Sequence, residues 1–139
     1  MKTNVLYYGD NLEVMVKYVP DESIDLIYID PPFFCGKAYE VIYGDTKEKR
    51  MFEDRWKGDV YHYVNWMEPR LAQMQRVLKS TGSIYVHLDW HAVHYIKIAM
   101  DRIFGYNNFR NDVIWHFTGR RMESICKFNA KHNTILFYG

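Results

Sequence analysis

Residues 24–29 read Ile-Asp-Leu-Ile-Tyr-Ile, a nearly continuous apolar run that predicts a strand buried on both faces of a parallel sheet. The run ends at Asp30-Pro31-Pro32, because two prolines cannot extend a hydrogen-bonded ladder. Residues 5–8 form a shorter β-prone stretch stopped by Gly9-Asp10-Asn11, and residues 12–18 suit a short helix before Pro20. From 61 to 78 apolar residues recur at helical spacing (Val64, Met67, Leu71, Met74, Leu78), with Pro69 inside the pattern predicting a kink or restart. Thr81-Gly82 closes that helix, and residues 83–88 alternate as a strand with Ile84, Val86 and Leu88 on one face. Residues 91–104 form a second amphipathic helix with Val93, Ile96, Met100 and Ile103 inward and Gly105 just past its end. Residues 113–117 and 134–138 are two further strands, joined without a helix.

Strand, helix, strand, helix, strand is the pattern of an α/β domain with helices crossing over a mainly parallel sheet. The last two strands predict an antiparallel hairpin at one edge. Residues 33–58 fit none of this. They are polar and aromatic, with a charge cluster at Lys47, Glu48, Lys49 and Arg50, and are too long for an ordinary connection. A functional loop, in which residues 39–55 close as a mobile lid, and partial disorder are the two readings.

The 139 residues suit one domain, and 48% hydrophobic content is enough for a real core. Twelve Tyr, eight Phe and four Trp supply core aromatics and also surfaces on which unpaired bases stack. A net charge of +1 gives no global basic field. The C-terminal segment is mildly basic through Arg110, Arg120, Arg121, Lys127 and Lys131. Arg120 and Arg121 are candidate contacts to DNA phosphates, with a solvated hairpin loop as the alternative. The two cysteines, Cys35 and Cys126, form no CxxC pattern, so neither a disulfide framework nor a zinc ribbon is indicated. No signal peptide and no apolar run approaching the ~20 residues of a membrane span are present, which predicts a soluble, cytoplasmic chain without a membrane partner.

Ligand sites in open α/β sheets lie beyond the C-terminal ends of strands, where Asp30-Pro31-Pro32-Phe33 is placed. Each residue has a use if the substrate is an exocyclic amine on a base. Such a nitrogen is a poor nucleophile because its lone pair is delocalised into the ring. The Asp30 carboxylate and the Pro31 carbonyl would accept its N–H bonds and favour a pyramidal nitrogen. Pro31 and Pro32 hold those acceptors rigid before substrate arrives, and Phe33 offers a flat face to a base removed from the stack. An ordinary capped turn is the simpler reading of the four residues alone.

The ordered set of motifs resembles the β-type amino-group DNA methyltransferases, which act on adenine N6 or cytosine N4 and place the catalytic motif before the cofactor motif. Tyr8-Gly9-Asp10-Asn11, then 25–33 ending Asp-Pro-Pro-Phe, resembles their opening. Gly82-Ser83-Ile84-Tyr85-Val86-His87-Leu88-Asp89, Asn108-Phe109-Arg110-Asn111, Ile114-Trp115 and the closing residues 132–138 extend the likeness over essentially the whole chain. The resemblance implies a partial Rossmann-like methyltransferase sheet, S-adenosyl-L-methionine as cofactor and DNA as partner. It makes Asp30, Pro31, Pro32 and Phe33 the target-base pocket. It places Asp10 near the cofactor or the target pocket and His87 and Asp89 along the same cleft, so that Asp10 and Asp89 are candidate cofactor contacts. An opening Asp favours adenine, since cytosine-N4 enzymes more often begin with Ser.

Family members of this order carry a Phe-x-Gly-x-Gly-like loop downstream, but Gly119 and Gly139 stand isolated, and no target-recognition region follows. Residues 1–139 therefore read as the catalytic half of a methyltransferase domain: a fragment, a truncated form or one half of a split enzyme, inactive alone and partnered by the missing half or by another copy. A non-catalytic nucleic-acid-binding or assembly remnant is the alternative. RNA or protein-amide methylation is another, although Asp30 in place of Asn weighs against the protein-amide version. His91 and His94 lie one helical turn apart behind His87, yet no Cys or Glu completes a tetrahedral set, and the chemistry needs no metal.

Overall fold

The computed structural model describes residues 4–34, 39–43, 48–52, 59–119 and 128–139. Helix α1 (Asn11–Tyr18) begins where Asp10 accepts a hydrogen bond from the Leu12 amide at 2.8 Å. It leads to strand β1 (Ile24–Ile29). Strands β2 (Tyr39–Tyr43) and β3 (Glu48–Phe52) pair antiparallel as a separate ribbon, so the stretch expected as a loop or lid contains a hairpin. Helix α2 (Val60–Val77) is capped by Asp59 and runs without a break through Pro69, which sits on its exposed side. The chain does not restart there. Strand β4 (Leu78–Leu88) follows at once, and helix α3 (Val93–Met100) continues as a π-turn over Asp101–Gly105 and a 3-10 turn over Tyr106–Asn108. Gly105, the expected terminator, has φ +91°, a conformation that only glycine adopts without strain. Strands β5 (Phe109–His116) and β6 (His132–Tyr138) complete the chain.

The main sheet has the order β1-β4-β6-β5. β1 and β4 are parallel, while β6 is antiparallel to both β4 and β5. The α/β class and the antiparallel edge hairpin are as expected. The parallel share is smaller than expected, because β6 folds back between β4 and β5 and only one of the sheet's pairings is parallel. Residues 5–8 form no strand. Leu6 is almost fully exposed there, and no neighbouring strand among the described residues offers a ladder.

The core lies on one face of this sheet. Ile84, Val86, Leu88, Leu136 and Tyr138 pack against Tyr63, Met67, Leu71 and Met74 of α2 and Val93, Ile96 and Met100 of α3. Both helices cover the same side, so β1 alternates where burial on both faces was expected. Ile27 and Ile29 turn inward, whereas Leu26 is 60% exposed and Tyr28 52%. No helix among the described residues is long and apolar enough to cross a membrane.

Two devices hold the ends of the elements. The Arg76 guanidinium of α2 donates to the Val19 carbonyl just past α1 at 3.2 Å and to the Met15 carbonyl at 2.9 Å, which also accepts the Val19 amide, and it pairs with Asp21. The β1–β4 register shifts between Ile24 and Leu26, and Gly82 lies in the extra length of β4 that this creates. A Cβ at Gly82 would stand 2.8 Å from Leu78 Cδ1 and 3.1 Å from the Asp25 carbonyl oxygen, so a larger residue would have to displace Leu78 and press on the facing strand.

Candidate functional site

β1 delivers Asp30 to the C-terminal edge of the sheet, where Pro31 and Pro32 end the ladder. After them Phe34 has φ +61°, a left-handed conformation costly for a bulky residue. Its ring is held against Tyr63 of α2, with centroids 6.0 Å apart. The loop is thus fixed by its prolines at one end and by core packing at the other.

Asp30, Pro31 and Pro32 wall a cleft of ≈ 360 Å³ together with Asn11 of α1 and Trp66 and Arg70 of α2. The Asp30 side chain is 59% exposed. Arg70 is the single charged residue buried among those described, and its geometry explains how that is tolerated. Nη2 donates to Asp10 Oδ2 at 2.6 Å, Nε to Asn11 Oδ1 at 3.0 Å and Nη1 to the Trp66 carbonyl at 2.9 Å. Its guanidinium also lies over the Trp66 ring, 4.0 Å from the centroid. Asp10, a candidate cofactor contact, is therefore engaged on both oxygens, one capping α1 and the other holding Arg70.

Phe33 does not wall this cleft; it is partly buried and packs in part against the core. Its ring meets His87 edge-on at 5.3 Å and 61°. Since Ile29 pairs with Val86, the residue after β1, Asp30, comes beside His87, whose Nδ1 lies 3.5 Å from Asp30 Oδ1. Tyr28 Oη is 3.4 Å from the same nitrogen, and Asn133 Nδ2 is 3.1 Å from Nε2. Trp115 of β5 flanks the imidazole at 6.4 Å.

Asp89, the other candidate cofactor contact, lies past the end of β4 but not in the wall of the cleft. Its carboxylate accepts from the His91 amide at 2.9 Å and meets His91 Nδ1 at 2.8 Å, shaping the turn that starts α3. Trp90 is exposed and stacks on His91 at 3.7 Å. His87 and His91 thus serve different partners, and among the described residues no three His, Cys, Asp or Glu side chains are grouped to hold a metal ion. Arg120 and Arg121 lie outside the described residues.

Asp30 to Phe33, with His87 near them, were legible in the sequence. Asn11, Tyr28, Trp66, Arg70 and Asn133 were missed. Strand alternation alone would have put Tyr28 on the outer face. The arrival of Asn133 depends on the β4–β6 register, for which no local signal exists.

Residues 24–139 match the family model of the N6/N4 DNA methylases. The chain is 31% identical over 136 residues to the type II methyltransferase M.KpnI of Klebsiella pneumoniae, covering 96% of this chain and 32% of that protein. Among solved structures, the cytosine-N4-specific PvuII DNA methyltransferase superposes with a TM-score of 0.65 at 22% identity, over 95% of this chain and 47% of that one. TTHA0409 of Thermus thermophilus, solved in complex with S-adenosyl-L-methionine, superposes with a TM-score of 0.59 at 16% identity, over 94% of this chain and 50% of that one. At these identities the solved structures establish the fold, and the chain spans about a third of the length of M.KpnI. On the strength of the family match over residues 24–139, the chain belongs to the N6/N4 DNA methylases.

Proposed function

We propose that this chain carries the catalytic-motif portion, residues 1–139, of a DNA methyltransferase domain that methylates the exocyclic amine of a flipped base, adenine N6 in preference to cytosine N4. The observation that carries this reading is the Asp30 carboxylate, half-exposed at the mouth of a preformed cleft on a loop held rigid by Pro31, Pro32 and the packing of Phe34. The preference for adenine rests on Asp, rather than Ser, at the head of the motif.

Asp30 and the Pro31 carbonyl accept the two N–H bonds of the amine and draw its lone pair out of conjugation. As the N–C bond forms, one of those protons must leave, and Asp30 is the group placed to receive it or pass it to water. The preset geometry makes this catalysis by positioning, without a covalent enzyme intermediate. Phe33 and the other aromatics at the sheet edge favour an unstacked base.

The cleft beside Asp30 suits S-adenosyl-L-methionine. Its ≈ 360 Å³ falls within the range of small-molecule sites, and it joins apolar Ile29, Met67 and Met74 to polar Asn11 and the charged Asp30 and Arg70, a lining with both an apolar floor and polar groups to orient a ligand. When bound, the cofactor supplies an electrophilic methyl group. Asp10 acts on this site through Arg70, which it holds in the cleft wall, whereas Asp89 lies outside that wall and shapes the turn at the end of β4. Arg120 and Arg121 would contact DNA phosphates, and a DNA substrate places the enzyme in the cytoplasm.

Asp30→Ala is the test, in the protein expressed from its native gene. Turnover with S-adenosyl-L-methionine and DNA should fall on the order of 10²–10³-fold, as expected for loss of a preset acceptor, with cofactor affinity nearly unchanged. Undiminished turnover would remove Asp30 from the chemistry.

A further inference from the structure

We propose that His87 is a positioning residue that orients the Asp30 carboxylate, and that Asn133 selects the tautomer in which it does so. This rests on the reading of Asp30 as acceptor for the target amine.

The His87 side chain is only 13% exposed, enclosed by Phe33 on one side and Trp115 on the other. Packing fixes the ring plane and leaves its two nitrogens as the polar handles. Nε2 faces Asn133 Nδ2 at 3.1 Å. With the Asn133 amide in this orientation its nitrogen donates, which makes Nε2 the acceptor and assigns the proton of a neutral imidazole to Nδ1. Nδ1 faces Asp30 Oδ1 at 3.5 Å, with the Tyr28 hydroxyl at 3.4 Å. The Nδ1–H therefore has the Tyr28 hydroxyl oxygen as its hydrogen-bond partner, with the carboxylate that the chemistry uses beside it within reach of a small shift.

This matters because rotation of a carboxylate about its last torsion is nearly unhindered, and Asp30 is half-exposed. A donor at Oδ1 selects one rotation and leaves Oδ2 for the amine. The 3.5 Å separation is longer than a formed hydrogen bond, which is common for catalytic contacts that tighten when substrate arrives. The elements that meet here come from three strands: β1 through Tyr28 and Asp30, β4 through His87, and β6 through Asn133.

Two measurements on the protein expressed from its native gene test this. Long-range ¹H–¹⁵N correlation spectra of the histidine rings report the tautomer directly. The expected result is Nδ1–H for His87, moving toward Nε2–H in Asn133→Ala. In turnover assays His87→Phe should lower kcat on the order of 100-fold, with kcat/KM falling in parallel. His87→Asn, whose amide nitrogen stands where Nδ1 stood, should recover most of the loss, and His87→Gln should not. An Nε2–H tautomer in the wild-type protein overturns the proposal, as does a His87→Asn variant no better than His87→Phe. Asp30→Ala inactive with His87→Phe at wild-type turnover overturns the role of His87 alone. Asp30→Ala at wild-type turnover overturns the reading of Asp30 itself.

Discussion

Arg70 Nη2 lies 2.6 Å from Asp10 Oδ2, joining the middle of α2 to the residue that caps α1. The pair spans a boundary, for the Arg70 side chain is buried whereas Asp10 is half-exposed. Removing Arg70 deletes its hydrogen bonds to Asp10, Asn11 and the Trp66 carbonyl and leaves a hole under Trp66. Removing the Asp10 charge leaves Arg70 with the other two partners. Arg70→Ala should therefore cost about 2–4 kcal/mol and Asp10→Asn about 1 kcal/mol in chemical denaturation. Equal and small losses would show that the guanidinium is not the structural centre of the cleft wall.

Gly82→Ala should destabilise by about 1–3 kcal/mol, the usual cost of overpacking. The added methyl meets Leu78, which can move, and the Asp25 carbonyl, which belongs to the facing strand. Thermal unfolding gives the size of the loss, and amide exchange at residues 24–26 should quicken because the strain falls on the shifted register. A neutral outcome would mean that the β1–β4 bulge adjusts freely.

The two faces of the sheet should respond differently to truncation. Leu88→Ala removes a fully buried side chain between the helices and should cost about 2–5 kcal/mol. Leu26→Ala on the open face should stay within about 0.5 kcal/mol. Comparable losses in urea titrations would place a second core on the side now exposed.

The contact between Asp101 and Tyr138, 2.7 Å from carboxylate to hydroxyl, sets a pH window. Burial pushes the Asp101 carboxyl up, but hydrogen bonds from Lys97 and Tyr138 and the charge of Lys97 outweigh it and hold it below its ordinary value of 3.8. Burial, then the bond to Asp101 and its negative charge, drive the Tyr138 hydroxyl well above its ordinary 10.0. The stabilisation from Asp101 is complete above pH 3.8 and is lost as pH falls through the depressed folded value. That from Tyr138 is complete below pH 10.0 and is lost as pH rises toward the elevated one. Denaturation midpoints should thus fall at both extremes, and Tyr138→Phe should flatten the alkaline limb. An unchanged alkaline limb in that variant would remove Tyr138 as its cause.

Periodicity located most of the elements, because β1, α2, β4 and α3 each carry an apolar pattern that a single face can bury. Boundaries were less legible. β4 begins at Leu78, five residues before its alternating pattern, because the register shift against β1 inserts residues that carry no alternation of their own. Pro69 read as a break, yet it costs little on an exposed face of a helix anchored by Tyr63, Met67 and Leu71 on the other. Residues 5–8 have strand-forming side chains but, among the described residues, no neighbour to complete a ladder.

By itself the sequence determined the class of fold, the place where β1 ends and the chemical character of the Asp30 loop, because each follows from local pattern: an apolar run, two prolines and an acid at the strand's end. The tertiary structure decided what surrounds that acid. Asn133 reaches His87 only because β6 folds back against β4 in one register, and Arg70 enters the cleft wall only because α1 and α2 pack side by side. Contacts between residues 46 to 60 positions apart are set by the packing of whole elements, and no local spacing encodes them.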